Sequence, residues 1–295
     1  MEQRQNKVTV RQIQEVQLEI LKAIIQICKN HDIHYVAFGG TCLGAVRHKG
    51  FIPWDDDIDI LMSREDYERF NKIANSELPQ YIRLHTPEDL SWPGIYIAKV
   101  FNENTTCIEK ARFQLGLYNE GIFVDLMVLD GVPENRLERK VILCANIFLY
   151  NLSYFLSYKL EHVKRTSSKI FWILASPIKP LLSLFIKDRY LIPLHERLYR
   201  KYKLKECSTV SFNWSVRGSK RYFPASLFLE TVELPFEDTF ITCPKDFDTY
   251  LRSHYGDYMQ LPSEEEQNNG HNFCVVDLNH PYKDYDPKTG DFKKC

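Results

Sequence analysis

Phe51-Ile52-Pro53-Trp54-Asp55-Asp56-Asp57-Ile58-Asp59-Ile60 sets four aspartates within five residues and runs directly into Leu61 and Met62. Ile58, Ile60, Leu61 and Met62 demand burial, so this is no solvated acidic tail. Along a strand, alternation sends Asp57 and Asp59 to one face and Ile58 and Ile60 to the other. Two like charges side by side repel, and a divalent cation between them removes the repulsion. The stretch reads as a buried strand entered through a metal-holding carboxylate pair. The plain alternative is an exposed acidic turn ahead of a strand.

The residues upstream point the same way. Tyr35-Val36-Ala37-Phe38 is a short apolar strand, Gly39-Gly40-Thr41 reads as a turn, and Cys42 to Arg47 reads as a short helix. Glycines let a backbone come close to a ligand. The N–H groups of a helix start, with the Thr41 hydroxyl, can hold phosphate oxygens. Arg47 and His48 add positive charge, and Arg47 ranks first because a guanidinium grips phosphate with two donors. A Gly-Gly-Thr turn followed by Asp-x-Asp on the next strand is the layout of a metal-dependent nucleotidyltransferase-type site.

Gly39 to Tyr67, GGTCLGAVRHKGFIPWDDDIDILMSREDY, resembles the LicD family of phosphotransferases, with fukutin-type enzymes as distant relatives. The likeness continues through Ile122–Leu126, Leu129–Pro133, Phe223-Pro224, Phe236-Glu237 and Tyr255–Pro262. It implies an α+β fold: a nucleotidyltransferase-like mixed sheet flanked by helices, with an additional helical subdomain. Residues 1–133 would form the catalytic core, 134–205 the helical subdomain, 206–280 the part that completes the core, and 281–295 a polar, mobile tail. The implied reaction is transfer of a phosphorylated alcohol, foremost phosphocholine, from CDP-choline or another CDP-alcohol to a sugar hydroxyl. The acceptor is a cell-surface glycan or its lipid-linked precursor. Mg²⁺ or Mn²⁺ is the implied cofactor, with Asp57, Asp59 and Asp125 as its ligands. Two rival readings are a nucleotidyltransferase that leaves the NMP on its acceptor, and a non-catalytic glycan-binding protein at a membrane surface.

Asp125 stands in the apolar run Ile122-Phe123-Val124-Asp125-Leu126-Met127. A charge in such a strand costs several kcal/mol unless paired or metal-bound. It reads as the third carboxylate of the metal site, with a local structural partner as the alternative. Lys99, in Ile95–Val100, reads either as an edge lysine reaching solvent or as a contact to the donor phosphate. Asp130 is explained by an Asp-Gly turn after the strand. A quaternary ammonium calls for an aromatic pocket, for which Trp54, Trp92 and Trp214 are candidates.

Elsewhere the sequence is ordinary for a globular enzyme. Residues 10 to 30 carry apolar positions at helical spacing, and Ser63 can cap a helix from Arg64 that turns Tyr67 and Phe70 inward. Tyr81–His85, Gly94–Phe101, Thr105–Glu109 and Gly121–Val128 read as strands. Asp246–Tyr255 reads as a helix closed by Gly256. A formal net charge of −1 gives no global field to attract nucleic acid. Eight cysteines without metal spacing, and a polar start without a signal-peptide apolar region, fit a cytoplasmic protein. Cys42, Cys144 and Cys274 read as buried thiols. Val141–Tyr158 lacks any charge and Ile170–Ile186 is also apolar. A buried helical subdomain is the first reading; peripheral attachment to the inner membrane face, helped by flanking basic residues, is the second; true spanning is the third.

Overall fold

A computed structural model describes residues 8–90, 97–157, 177–186, 188–212, 222–267 and 273–292. Helix α1 (Val10–Asn30) follows its sequence signature closely: Thr9 and Gln12 form a reciprocal capping box, and Ile13, Ile20, Ile24 and Ile27 are buried. Each such side chain contributes about 1.5–3 kcal/mol on full burial. Helix α2 (Gly39–His48) begins earlier than the spacing predicts, so Gly39, Gly40 and Thr41 are its first turn and not a turn ahead of it. Phe38, extended and buried, leads into it. Helix α3 (Arg64–Glu77) is capped by Ser63, whose hydroxyl oxygen accepts the Asp66 N–H, and it buries Tyr67 and Phe70.

In chain order the described strands are β1 (Tyr35–Ala37), β2 (Asp59–Ser63), β3 (Ile82–His85), β4 (Ala98–Asn102), β5 (Thr106–Glu109), β6 (Phe123–Gly131), β7 (Thr209–Phe212), β8 (Phe223–Pro224), β9 (Thr231–Phe236), β10 (Thr239–Pro244), β11 (Phe273–Asp277), β12 (Tyr285–Asp286) and β13 (Asp291–Phe292). Seven of them form one mixed sheet, running β1-β2-β6-β4-β3, with β7 and β8 continuing beside the far end of β6. Only the β2–β6 pair is parallel among the described residues. That pairing sets Asp59 directly opposite Asp125. On its other side Asp125 stands opposite Lys99 of β4. The fold is thus an α+β arrangement, a mixed sheet with helices around it.

Asp130 is not a turn residue. It lies inside β6, fully buried, and takes the Arg64 guanidinium with both oxygens, Nε–Oδ1 3.0 Å and Nη2–Oδ2 2.7 Å. Glu196 reaches the same arginine at 3.2 Å. Burial alone would lower the Arg64 pKa, but the two carboxylates outweigh it and hold the cation charged. Removing one partner leaves an uncompensated buried charge, so Asp130→Ala should lower unfolding free energy by about 3–5 kcal/mol. Turnover per folded molecule should stay normal, because this pair is at the opposite end of β6 from Asp125. An unchanged urea melt would contradict the assignment.

Other expectations need correcting. Cys144 and Cys274 are exposed; of the three thiols read as buried, only Cys42 is. Of the expected mobile tail, residues 282–285 are docked: the Tyr282 N–H donates to the Thr105 carbonyl, and Tyr282 and Tyr285 are buried. The apolar middle is buried on one face only. Helix Arg136–Ser157 buries Asn146, Leu149, Ser153 and Phe155, while Leu137, Val141, Ile147 and Phe148 are exposed. Trp92, Trp214 and His271 lie outside the described residues.

Candidate active site

The N-terminal approach to β2, the facing end of β6 and the start of α2 meet at a cleft of about 1010 Å³. Asp55, Asp57, Asp59 and Asp125 line it, with Gly39, Gly40, Arg47 and Trp54. The helix Phe247–Tyr255 and the loop after it add His254, Tyr255, Tyr258 and Leu261. Two buried glutamines of α1 fix the acidic loop from behind. Gln14 Nε2 donates to the Ile52 and Asp55 carbonyls at 3.1 and 2.8 Å, and Gln17 Nε2 to the Asp56 carbonyl at 2.8 Å. Three carbonyls of the loop are thereby satisfied from the helix side.

The first two glycines of α2 make room for those carboxylates. Gly39 sits at φ +55°, and a Cβ there would lie 3.3 Å from Asp59 Oδ2. A Cβ on Gly40 would collide with the Asp55 carboxylate. Of the expected phosphate cradle, part is already in use. The Gly39 N–H donates to the Tyr250 hydroxyl at 2.8 Å. Thr41 is buried off the cleft lining, and its hydroxyl accepts the Asp59 N–H at 2.8 Å, so it sets the Asp59 backbone. The Gly40 N–H has no partner among the described residues. Arg47 Nη1 donates to the Tyr258 carbonyl at 2.7 Å and Nε to His48 Nε2 at 2.9 Å. Its Nη2 has no hydrogen-bond partner among the described residues, and the residue helps to line the cleft. His48 is off that lining, packed edge-on to Trp54, and steadies Arg47.

Lys99 is neither an edge residue nor on the cleft lining. It lies on β4 between β3 and β6 and is 1% exposed. Its ammonium contacts Glu109 Oε2 and Glu120 Oε1, each at 2.8 Å, and Asp125 Oδ1 at 3.4 Å, over the ring of Phe123. Arg112 adds a second buried cation at 3.2 Å from Glu120. Burial alone would lower the Lys99 pKa, but Asp125, Glu109 and Glu120 raise it, so the ammonium keeps its proton. Sequence reasoning could not see this, because the partners lie on β5 and on the approach to β6.

Burial pushes the Asp57 carboxyl up to about 7, with Asp55 and Asp56 adding repulsion. Asp59 is pushed well above the carboxylate range by burial, then by Asp57 and Asp125. Asp125 rises to about 7 through burial, against the pull of Lys99. Lys99 offsets this repulsion only in part, because Glu109 and Glu120 share its charge. A hard cation fits part of this cluster: among the described residues Asp55, Asp56 and Asp57 each bring one oxygen within 4.8 Å of the others, whereas Asp59 and Asp125, expected as ligands beside Asp57, are not in that group. Asp125 Oδ1, fully buried, accepts no hydrogen bond among the described residues. An all-carboxylate donor set suits Mg²⁺ or Mn²⁺. Asp55, outside the metal set that the resemblance implies, is therefore part of the site. Its signal was present in the run of aspartates; Tyr255 and Tyr258 were flagged only by the resemblance at Tyr255–Pro262.

Comparison with known proteins agrees with this geometry. The chain is 33% identical over 278 residues to the lipopolysaccharide cholinephosphotransferase LicD of Haemophilus influenzae, covering 90% of this chain and 97% of that protein. The chain belongs to the LicD family. Within it, residues 32–115 match the domain described as LicD/FKTN/FKRP, nucleotidyltransferase domain. A shorter stretch of 118 residues, 40% of each chain, is 31% identical to an uncharacterized protein of Rickettsia prowazekii. As a LicD homologue the chain is a transferase.

Proposed function

We propose that this LicD-family transferase moves phosphocholine from CDP-choline to a sugar hydroxyl of lipopolysaccharide or a related surface glycan. The observation that carries the reading is the register of β2 against β6, which sets Asp59 beside Asp125 on the lining of an open cleft. Asp57, Asp59 and Asp125, with Asp55 and Asp56 beside Asp57, would hold Mg²⁺ or Mn²⁺, and a bound ion would supply positive charge for the departing CMP. Arg47 Nη2 and the Gly40 N–H orient the donor phosphates. Asp125 accepts the proton of the attacking hydroxyl. Thr41, His48, Gln14 and Gln17 hold these groups in place without touching substrate.

A donor screen tests this directly. CDP-choline, CDP-glycerol and CDP-ribitol are offered with Mg²⁺ and a glycan acceptor, and CMP release is read. CMP from CDP-choline is expected; pyrophosphate released from an NTP would instead identify a nucleotidyltransferase. The rings of Trp54, Tyr255 and Tyr258 on the lining suit a quaternary ammonium. Trp54→Leu should therefore raise KM for CDP-choline by about tenfold and leave any turnover of CDP-glycerol unchanged. Equal losses for both donors would deny the ring a part in choline recognition.

A further inference from the structure

The face built by helices Arg136–Ser157 and Lys179–Phe185 differs from the rest of the molecule. Within these two helices Arg136, Arg139, Lys140 and Lys179 stand against the single acid Glu138, although the whole chain has a net charge of −1. Helix Arg136–Ser157 has no charge after Lys140 and is long and apolar enough to cross a membrane, yet only 22% of its apolar window is buried. Leu137, Val141 and Phe148 recur on one helical face and are 60–72% exposed. Helix Lys179–Phe185 packs on it and adds Leu181, Leu184 and Phe185, the last two 73% and 76% exposed. Exposed Arg136 and Lys140 stand at the start of this apolar stripe. A contiguous apolar face with a basic margin marks an interaction surface.

We propose that this face docks on an anionic lipid leaflet, with both helices lying in the plane of the interface. The inference stands apart from the transfer reaction and does not need it. A spanning helix is disfavoured because the opposite side of Arg136–Ser157, with Asn146, Leu149 and Ser153, is buried, and the helix packs on helix Asp188–Tyr199, whose Leu191, Ile192 and His195 are buried as well. Crossing the bilayer would strip that partner away. A second copy of the chain is disfavoured because a two-fold contact would bring one basic margin against another. Anionic headgroups satisfy the charge while acyl chains take up Leu184 and Phe185.

The test is flotation of the full chain with phosphatidylcholine vesicles, with and without phosphatidylglycerol, at low and high salt. Binding is expected only with phosphatidylglycerol and should weaken with salt. Arg136→Ala and Lys140→Ala should each weaken it roughly fivefold. Leu184→Glu combined with Phe185→Glu should abolish it, with CMP release from CDP-choline in the presence of a soluble acceptor, and the circular dichroism spectrum, unchanged. Wild-type protein that stays unbound with phosphatidylglycerol at low salt overturns the proposal, whatever the variants do. Equal binding to neutral vesicles overturns the charge argument. Concentration-dependent dimers abolished by the same double substitution would assign the face to a second copy.

Discussion

Asp59→Asn is expected to lower transfer by about 10²–10³-fold or more while the protein still folds. Asp59 lies abreast of Asp125, its backbone is fixed by Thr41, and Gly39 leaves room for its carboxylate. Nothing in the surrounding packing needs its charge; the neighbouring carboxylates repel it. Asp57→Asn should behave alike, and either variant should melt higher than wild type without metal, because one repelling group is gone. The pH dependence has a definite sign. Asp57 and Asp125 are held near 7 in the fold, above the ordinary carboxylate range. The stability they contribute is complete at low pH and is lost as pH rises through about 7. A cation competes with those protons, so Mg²⁺ should raise the melting temperature more at about pH 8 than at about pH 6. CMP release and melts with and without Mg²⁺ check all of this. Near-normal turnover by folded Asp59→Asn protein would sink the metal assignment.

The legible part of this fold is local or periodic. Helix α1 follows from apolar spacing, α3 from its Ser63 cap, and β2 from alternation behind an acidic run. Asp125 is legible because a carboxylate in an apolar strand has few explanations. What the sequence hides depends on distant partners. Lys99 looks like an edge residue until β5 and β6 surround it with carboxylates. Asp130 looks like a turn until Arg64, sixty-six residues earlier, closes on it. Gln14 and Gln17 look like solvent-facing helix positions, yet they carry the acidic loop. The β9–β10 hairpin is only half legible: β9 alternates in step with its exposure, but Pro235 interrupts it and β10 mixes an exposed Phe240 with buried Cys243 and Pro244. Hydropathy in the middle segment tells that residues are apolar and not which side they face.

Lys99→Met should cost about 3–5 kcal/mol of stability, because it leaves Asp125, Glu109 and Glu120 facing one another without their shared cation. In a chain of this size that is a fall of about 10 °C in melting temperature. Methionine preserves length and apolar contact with Phe123, so the loss reports charge and not volume. Part of it is recoverable by protonating the stranded carboxyls. The deficit should therefore grow as pH rises, since the fold then has to hold protons that the unfolded chain releases. Turnover should fall as well, because Asp125 loses the contact that orients it, while KM for the donor should stay within about twofold, since a residue off the cleft lining makes no contact with donor phosphates. Lys99→Arg keeps the charge and should recover most of the stability. The opposite pattern, a normal melt with a donor KM raised many-fold, would return Lys99 to the role of a phosphate contact and would mean that the ammonium leaves its carboxylates when the donor binds.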